Sequence, residues 1–290
     1  MKTAVIGLGL MGSEIALRLR RQGVDVSCWN RGAEGARAAR ERGLPMTETA
    51  AAAIAAADLI LLVLSDADAI RETLLDPPDA AQALSGRIVV QMGTIGPGES
   101  RAIAARVESL GARYLEAPVL GSLPEVREGR LIIMAGGDPA LFEQCLPVLR
   151  DLSRDPQLIG GIGAGAALKL AMNQLIAGLT ATFSLSLGLV RAEGIDVAQF
   201  MTLLRGSALH ARTFDKKLDK YLSHDYGAAN FPLKHLLKDV RLFREVAEQV
   251  GLDIALLGAL ESTCERAEAL GYGDQDYSAL YEAISPQRSS

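Results

Sequence analysis

One charge stands alone in "GAGAALKLAMNQL", which runs from Gly163 to Leu175: Lys169, with Asn173 four positions beyond it. On a helix that spacing puts ammonium and carboxamide on one face, a turn apart. A lysine in mostly apolar surroundings has its proton affinity lowered towards neutrality. It then suits the protonation of an alkoxide, and while still charged it stabilises the negative charge that precedes the alkoxide. The competing role is structural, a stem covering apolar helix while the head reaches water. Spacing alone leaves both open.

A second constellation is "GLGLMG", with Gly7, Gly9 and Gly12 directly after the apolar run "TAVIG" and directly before "SEIALRLRRQG". Strand, turn and helix in that order give each glycine a task. The first makes the tight turn, the second admits a pyrophosphate to the backbone, and the third lets helix pack on strand, while the helix N-terminus favours the anion. Leu10 and Met11 complete that loop. About 20 residues on, where an acidic residue would read the ribose of NAD, the chain has Asn30 and Arg31. A guanidinium brings charge and a planar donor fork to a 2′-phosphate, so NADP is the expected cofactor and NAD a weaker one. The other role open to Arg31 is a solvated loop cation near Glu34.

Six short apolar runs alternate with helical patterns: residues 3–7, 24–29, 58–64, 87–92, 113–117 and 131–136. Alternation of this kind predicts a parallel sheet with crossover helices. Beyond about residue 160 every pattern is helical, and Gly160, Gly161, Gly163 and Gly165 mark the junction. The expected architecture is therefore α/β, with a doubly wound, mostly parallel Rossmann domain over residues 1–162 and an all-α domain over 163–290. With 290 residues, 49% hydrophobic, 22% charged and a net charge of −5, the composition is that of a globular protein. It suggests neither a nucleic-acid nor an anionic-membrane partner. Cys28, Cys145 and Cys264 are widely spaced and suggest neither disulfides nor zinc, so a cytoplasmic location is expected. His210, His224 and His235 lack metal-ligand spacing and read as surface or structural residues. Leu170 to Val190 carries no charge and is long enough to cross a bilayer, yet Asn173, Gln174, Thr180, Thr182, Ser184 and Ser186 are scattered through it. It reads as a helix buried between subunits or domains.

Five motifs, "GLGLMG", "EAPVLGSLPEVREGRLIIMAGGD", "GIGAGAALKLAMN", "FPLKHLLKDVRL" and "GYGDQDYSAL", occur in an order and spacing that resemble the β-hydroxyacid dehydrogenase (3-hydroxyisobutyrate dehydrogenase-like) family. The resemblance covers essentially the whole chain and is strongest to the glyoxylate and succinic semialdehyde reductase branch. It implies a Rossmann domain, a long helix leading into a helical domain of the 6-phosphogluconate dehydrogenase type, and an active site in the cleft between them. By the same resemblance Lys169 is the catalytic lysine and Asn173 orients the substrate. Leu120, Gly121, Ser122, Thr94 and Phe231 line the substrate. Leu64, Ser65, Thr94, Lys238 and Asp239 join the glycine loop, Asn30 and Arg31 around the cofactor, with Asp239 steadying the lysines. Bland alternatives exist for Thr94, as a cap for the helix starting near Pro97, and for Lys238 and Asp239, which with Lys234 could form an ordinary charged helix face.

Three departures stand out. Relatives read PVSG where this chain reads "PVLGS", so Leu120 replaces a serine that binds a substrate carboxylate, leaving the N–H groups of Gly121 and Ser122 as donors. Gln91 and Gly93 interrupt the usual DMST strand end, and Gly32 and Gly35 replace the Thr and Lys that commonly follow Asn-Arg. The sequence thus predicts an NADPH-dependent, metal-free, homo-oligomeric (dimeric or tetrameric) reductase of small aldehydes or oxo acids, with Lys169 as general acid. Leu120 points to the less polar carbonyls. Alternatives are an imine or ketone reductase of the same architecture, and a catalytically silent, dehydrogenase-like interaction module.

Overall fold

Strands covered by helices on both faces bury side chains of both orientations and are mostly apolar, and the first strand shows the pattern: all four residues of β1 (Thr3–Ile6) are buried, three of them apolar. The computed structural model describes residues 1–285, so the end of the second expected domain, 286–290, lies outside the described residues. The chain divides into two units, Met1–Lys169 and Leu170–Ser290.

In the first unit β1 is followed by α1 (Leu10–Arg21), β2 (Val26–Trp29), α2 (Ala33–Glu41), α3 (Ala50–Ala55), β3 (Leu59–Leu62) and α4 (Ala67–Ile70). A π-helical turn at Arg71–Leu75 leads to α5 (Pro78–Ala83), β4 (Ile88–Gln91), α6 (Pro97–Ser109) and β5 (Arg113–Glu116). Then come β6 (Val119–Leu120), α7 (Leu123–Glu128), β7 (Ile132–Gly136), α8 (Pro139–Leu152) and β8 (Gln157–Gly160). The sheet order is β2-β1-β3-β4-β5-β7-β6, with β8 pairing β7. Successive residues of a strand face opposite sides. Val5, Leu61, Val90 and Leu115 accordingly enter one core with Ile15 and Leu19 of α1, while Ile6, Ile60, Leu62 and Val89 enter the other with Ile54 and Ile103.

All six expected strands are present. β1 to β5 are parallel, but β7 runs antiparallel to β5, meeting it at Glu116 and Gly136, and β6 is antiparallel to β7. The sheet is thus mostly parallel, as expected, and the antiparallel part arises because the α7 connection returns the chain directly beside β6, as a hairpin does. β6, only two residues long, and the half-exposed β8 were not anticipated.

Helix α9 (Ala164–Ala192) begins in the first unit and continues through the second, which adds α10 (Val197–Arg205), α11 (Arg212–Ser223), α12 (Leu233–Gln249), α13 (Ala255–Ala267) and α14 (Leu280–Ile284). Phe183 stacks on Phe214 at 4.5 Å beside Tyr221. Lys217 and Asp276 form a buried ion pair at 2.7 Å. Length and composition would let α9 cross a membrane, and 39% of its most apolar window is buried. Four of its leucines, 175, 179, 185 and 189, are exposed and fall in one stripe about 120° wide at 3.6 residues per turn. The helix is therefore not wholly covered within the chain. All three cysteines are buried and free. Burial pushes the Cys28 and Cys264 thiols up to about 12 and the Cys145 thiol up to about 11, which makes them poor nucleophiles.

Candidate active site

The glycine turn has the shape its spacing predicts. Gly7 has φ +94°, and a Cβ there would lie 2.4 Å from the Val63 carbonyl oxygen; at Gly12 it would lie 1.8 Å from the Gly7 oxygen. Only hydrogen fits either place. At Gly9, by contrast, nothing approaches within 4 Å, so the turn is open on the side where a pyrophosphate would sit. Gly9 is the N-cap of α1, offers no side chain, and is followed by a first turn without an acid. Leu10 is exposed and Met11 half-buried at that end. The residues present therefore fit a dinucleotide: N–H groups and the positive helix end face open space.

At the end of β2 the side chain of Asn30 is used within the protein. Its Oδ1 accepts from the Leu8 N–H at 2.8 Å and its Nδ2 donates to the Gly32 carbonyl at 3.0 Å. Asn30 thus ties the glycine turn to the start of α2 and keeps one further Nδ2 hydrogen to donate. Arg31 is exposed and paired with Glu72 at 2.5 Å, not with nearby Glu34.

Beyond β3, Leu64 is half-buried and Ser65 donates to Asp66 at 2.7 Å, whose other oxygen caps α4 through the Ala69 N–H. Past β4, a Cβ at Gly93 would lie 2.3 Å from the Leu64 oxygen, so the departure from the usual strand end is what lets these two segments close up. Thr94 is half-buried and does not cap α6. The N-cap is Gly96, whose N–H donates to Glu99 at 2.7 Å.

Beyond β5, half-buried Leu120 ends β6 and exposed Gly121 has φ +140°. The next residue departs from expectation. Ser122 directs both its N–H, at 2.8 Å, and its hydroxyl, at 2.5 Å, to Glu125 Oε2. Its N–H, expected as a donor to a substrate carboxylate, takes part in the capping box of α7.

Glu116, fully buried at the end of β5, holds the start of α9. Its Oε1 accepts from the N–H groups of Gly163 and Gly165 at 2.8 Å and of Ala166 at 3.2 Å, while Oε2 accepts from Ser100. A carboxylate at a helix N-terminus complements the helix dipole as well as the orphan donors. Lys169 lies one turn beyond Gly165 on the same helix and is only 9% exposed, so its backbone position is set by this clamp.

In the second unit Asn173 is 3% exposed; its Nδ2 donates to Asp239 Oδ2 at 2.6 Å, and its Oδ1 is buried with no hydrogen-bond partner among the described residues. Asp239 Oδ1 lies 3.0 Å from Lys238 Nζ. Asp239 thus lies between Asn173, hydrogen-bonded to one of its oxygens, and Lys238, ion-paired with the other, and that second oxygen has no hydrogen-bond partner among the described residues. Lys234 turns away to Asp274 at 2.5 Å. Phe231 stacks on His235, whose imidazole is held below its usual pKa by burial and by Lys238.

A family model described as the NAD binding domain of 6-phosphogluconate dehydrogenase matches residues 2–163, and one described as NAD-binding of NADP-dependent 3-hydroxyisobutyrate dehydrogenase matches 163–284. Glyoxylate/succinic semialdehyde reductase 1 of Arabidopsis thaliana is 30% identical over 99% of this chain and all of that protein. The chain belongs to the β-hydroxyacid dehydrogenase family. It is an NAD(P)-dependent oxidoreductase, and the open glycine turn is where its nicotinamide dinucleotide fits. The chloroplastic reductase 2 of Arabidopsis thaliana is also 30% identical, over 98% of this chain and 79% of that one. The crystal structure of 3-hydroxyisobutyrate dehydrogenase from Salmonella typhimurium shares the fold, with a TM-score of 0.85 at 23% identity and coverage of 97% and 99%.

Three residues that the sequence did not single out act around these positions: Glu116, Glu125 and Glu72. Each works through a partner at a spacing no local pattern reveals or, for Glu125, through a capping box whose serine had been assigned elsewhere.

Proposed function

We propose that the chain reduces small aldehydes or ketones in preference to oxo acids, uses NADPH ahead of NADH, and employs Lys169 as the proton donor. The observation that carries this reading is Lys169 itself, a nearly buried cation one turn past a helix start clamped by Glu116. A reduced nicotinamide dinucleotide held at the glycine turn of Gly7, Gly9 and Gly12 would supply a hydride to the carbonyl carbon. As the C=O π pair moves to oxygen, the Lys169 ammonium stabilises the growing charge and then gives it a proton, leaving an alcohol and a neutral amine that solvent reprotonates. Asn173, oriented through Asp239, offers its unpaired carbonyl oxygen to a hydroxyl, so the alcohol is held as it forms.

Leu120 supports the preference for uncharged substrates, because it brings apolar volume and no donor, and the Ser122 N–H already serves Glu125. Arg31 supports NADPH by charge. The exposed leucine stripe on α9 supports a second copy of the chain as its cover. The buried free thiols support a reducing cytoplasm.

The test is cofactor oxidation by the purified chain with NADPH and NADH against glyoxylate, succinic semialdehyde, butanal, a simple ketone and a cyclic imine. Turnover of butanal or the ketone with NADPH is expected. Turnover of the imine alone would move the chain to the imine reductases, and binding of cofactor without turnover of anything would make it a silent module.

A further inference from the structure

Beyond the end of β2 a cation, Arg31, and a carboxylate, Glu72, are bonded to each other. Arg31 Nη1 lies 2.5 Å from Glu72 Oε2, with side chains 68% and 59% exposed. Asn30 uses its carboxamide oxygen on Leu8 and one amide hydrogen on Gly32. Positions 32 and 35 are glycines, and at 35 a Cβ would fall 2.6 Å from Asn30 Nδ2, so a longer residue there would break the Asn30 tie. Arg37 is 74% exposed and pairs loosely with Glu41 at 3.9 Å.

Glu72 reaches Arg31 from the π-helical turn Arg71–Leu75, closed by the Asp76 N–H to the Arg71 carbonyl at 2.9 Å. Such turns are rare, form a bulge in a helix and recur at functional sites. An exposed ion pair contributes little to the fold, so the carboxylate has no evident structural task that an uncharged residue would fail.

We propose that Glu72 is a specificity determinant for the cofactor: its carboxylate competes with the 2′-phosphate of NADPH for the Arg31 guanidinium and so limits the preference over NADH. The proposal rests on Arg31 as the partner of the 2′-phosphate. A phosphate approaching Arg31 must share its fork with Glu72 and bring like charge against a carboxylate, whereas NADH, with a ribose hydroxyl there, meets neither demand. The result is a chain that accepts both cofactors, with Arg31 favouring NADPH and Glu72 restraining that preference.

The test is the dissociation constant of NADPH and of NADH, from the fluorescence of the reduced nicotinamide, for wild type, Glu72→Gln and Arg31→Ala. At low ionic strength Glu72→Gln should tighten NADPH about threefold to tenfold and leave NADH within about twofold, with the gain shrinking at about 0.5 M salt as screening grows. Arg31→Ala should weaken NADPH only. If Arg31→Ala weakens NADPH selectively but Glu72→Gln leaves it unchanged, the competition is overturned and the Arg31 reading stands. If Arg31→Ala affects both cofactors equally, the reading of the 2′-phosphate seat fails, and the proposal with it.

Discussion

Glu116→Ala should cost the first unit about 3–6 kcal/mol of stability, most of it from donors left unmatched. The carboxylate is fully buried, and one oxygen accepts three backbone N–H groups at 2.8, 2.8 and 3.2 Å. A buried donor stripped of its acceptor costs about 1–3 kcal/mol, so three N–H groups give about 3–9 kcal/mol. Water entering the space left by the side chain lowers the upper figure. Set against the roughly 5–15 kcal/mol that holds a typical domain, the loss is a large share. Glu116→Gln keeps an oxygen for the N–H groups and loses the charge and the acceptor for Ser100; since charge-assisted bonds are roughly twice as strong as neutral ones, it should cost about 1–2 kcal/mol. Urea unfolding followed by Trp29, the one tryptophan, reports this unit directly because Trp29 ends β2. The expected order of midpoints is wild type, Gln variant, Ala variant. An alanine variant within about 1 kcal/mol of wild type would refute the reasoning, since it would mean that water serves the start of α9 as well as Glu116 does.

Two further outcomes follow from the same geometry. Leu120→Ser restores a hydroxyl at the end of β6, and a hydrogen bond to a charged group contributes about 1.5–3 kcal/mol. The kcat/KM ratio for succinic semialdehyde over butanal should therefore rise about tenfold or more, and an unchanged ratio would make Leu120 a neutral replacement. Glu14, its side chain 5% exposed, has its carboxyl held below the ordinary value by hydrogen bonds from Arg127 and Arg42, against the opposing effect of burial. A depressed carboxyl pKa contributes stability that is present above the unfolded value of 4.5 and lost as pH falls through the folded value. Urea unfolding of Glu14→Gln should thus show a deficit near pH 7 that shrinks below pH 4.5; a deficit independent of pH would contradict the assignment.

How much of this was legible in the sequence depends on the range of the contacts involved. β1, β3 and β4 were readable because strands covered on both faces are mostly apolar, and the glycine turn because its steric demands are local. β6 is too short to show a period, and the reversal of β7 depends on the α7 connection. Within the candidate site, residue types were readable and partners were not. The partner of the Asn30 oxygen, the Leu8 N–H, lies 22 positions away in sequence. Ser122 belonged to a capping box already visible in "SLPE", yet the expected substrate carboxylate drew the assignment instead. Glu116 sat inside a quoted motif with its role hidden, because the N–H groups it holds are 47 to 50 positions away.

The central claim is that Lys169, nearly buried on the helix clamped by Glu116, delivers the proton to the carbonyl oxygen. Single-turnover oxidation of bound NADPH by the preferred aldehyde, compared between wild type and Lys169→Ala, tests it most directly, with the NADPH dissociation constant measured alongside. Loss of the proton donor should slow the step about 10²–10⁴-fold while cofactor affinity stays within about twofold. A variant that keeps more than about a tenth of the wild-type single-turnover rate would contradict the account and return Lys169 to a structural role on its helix.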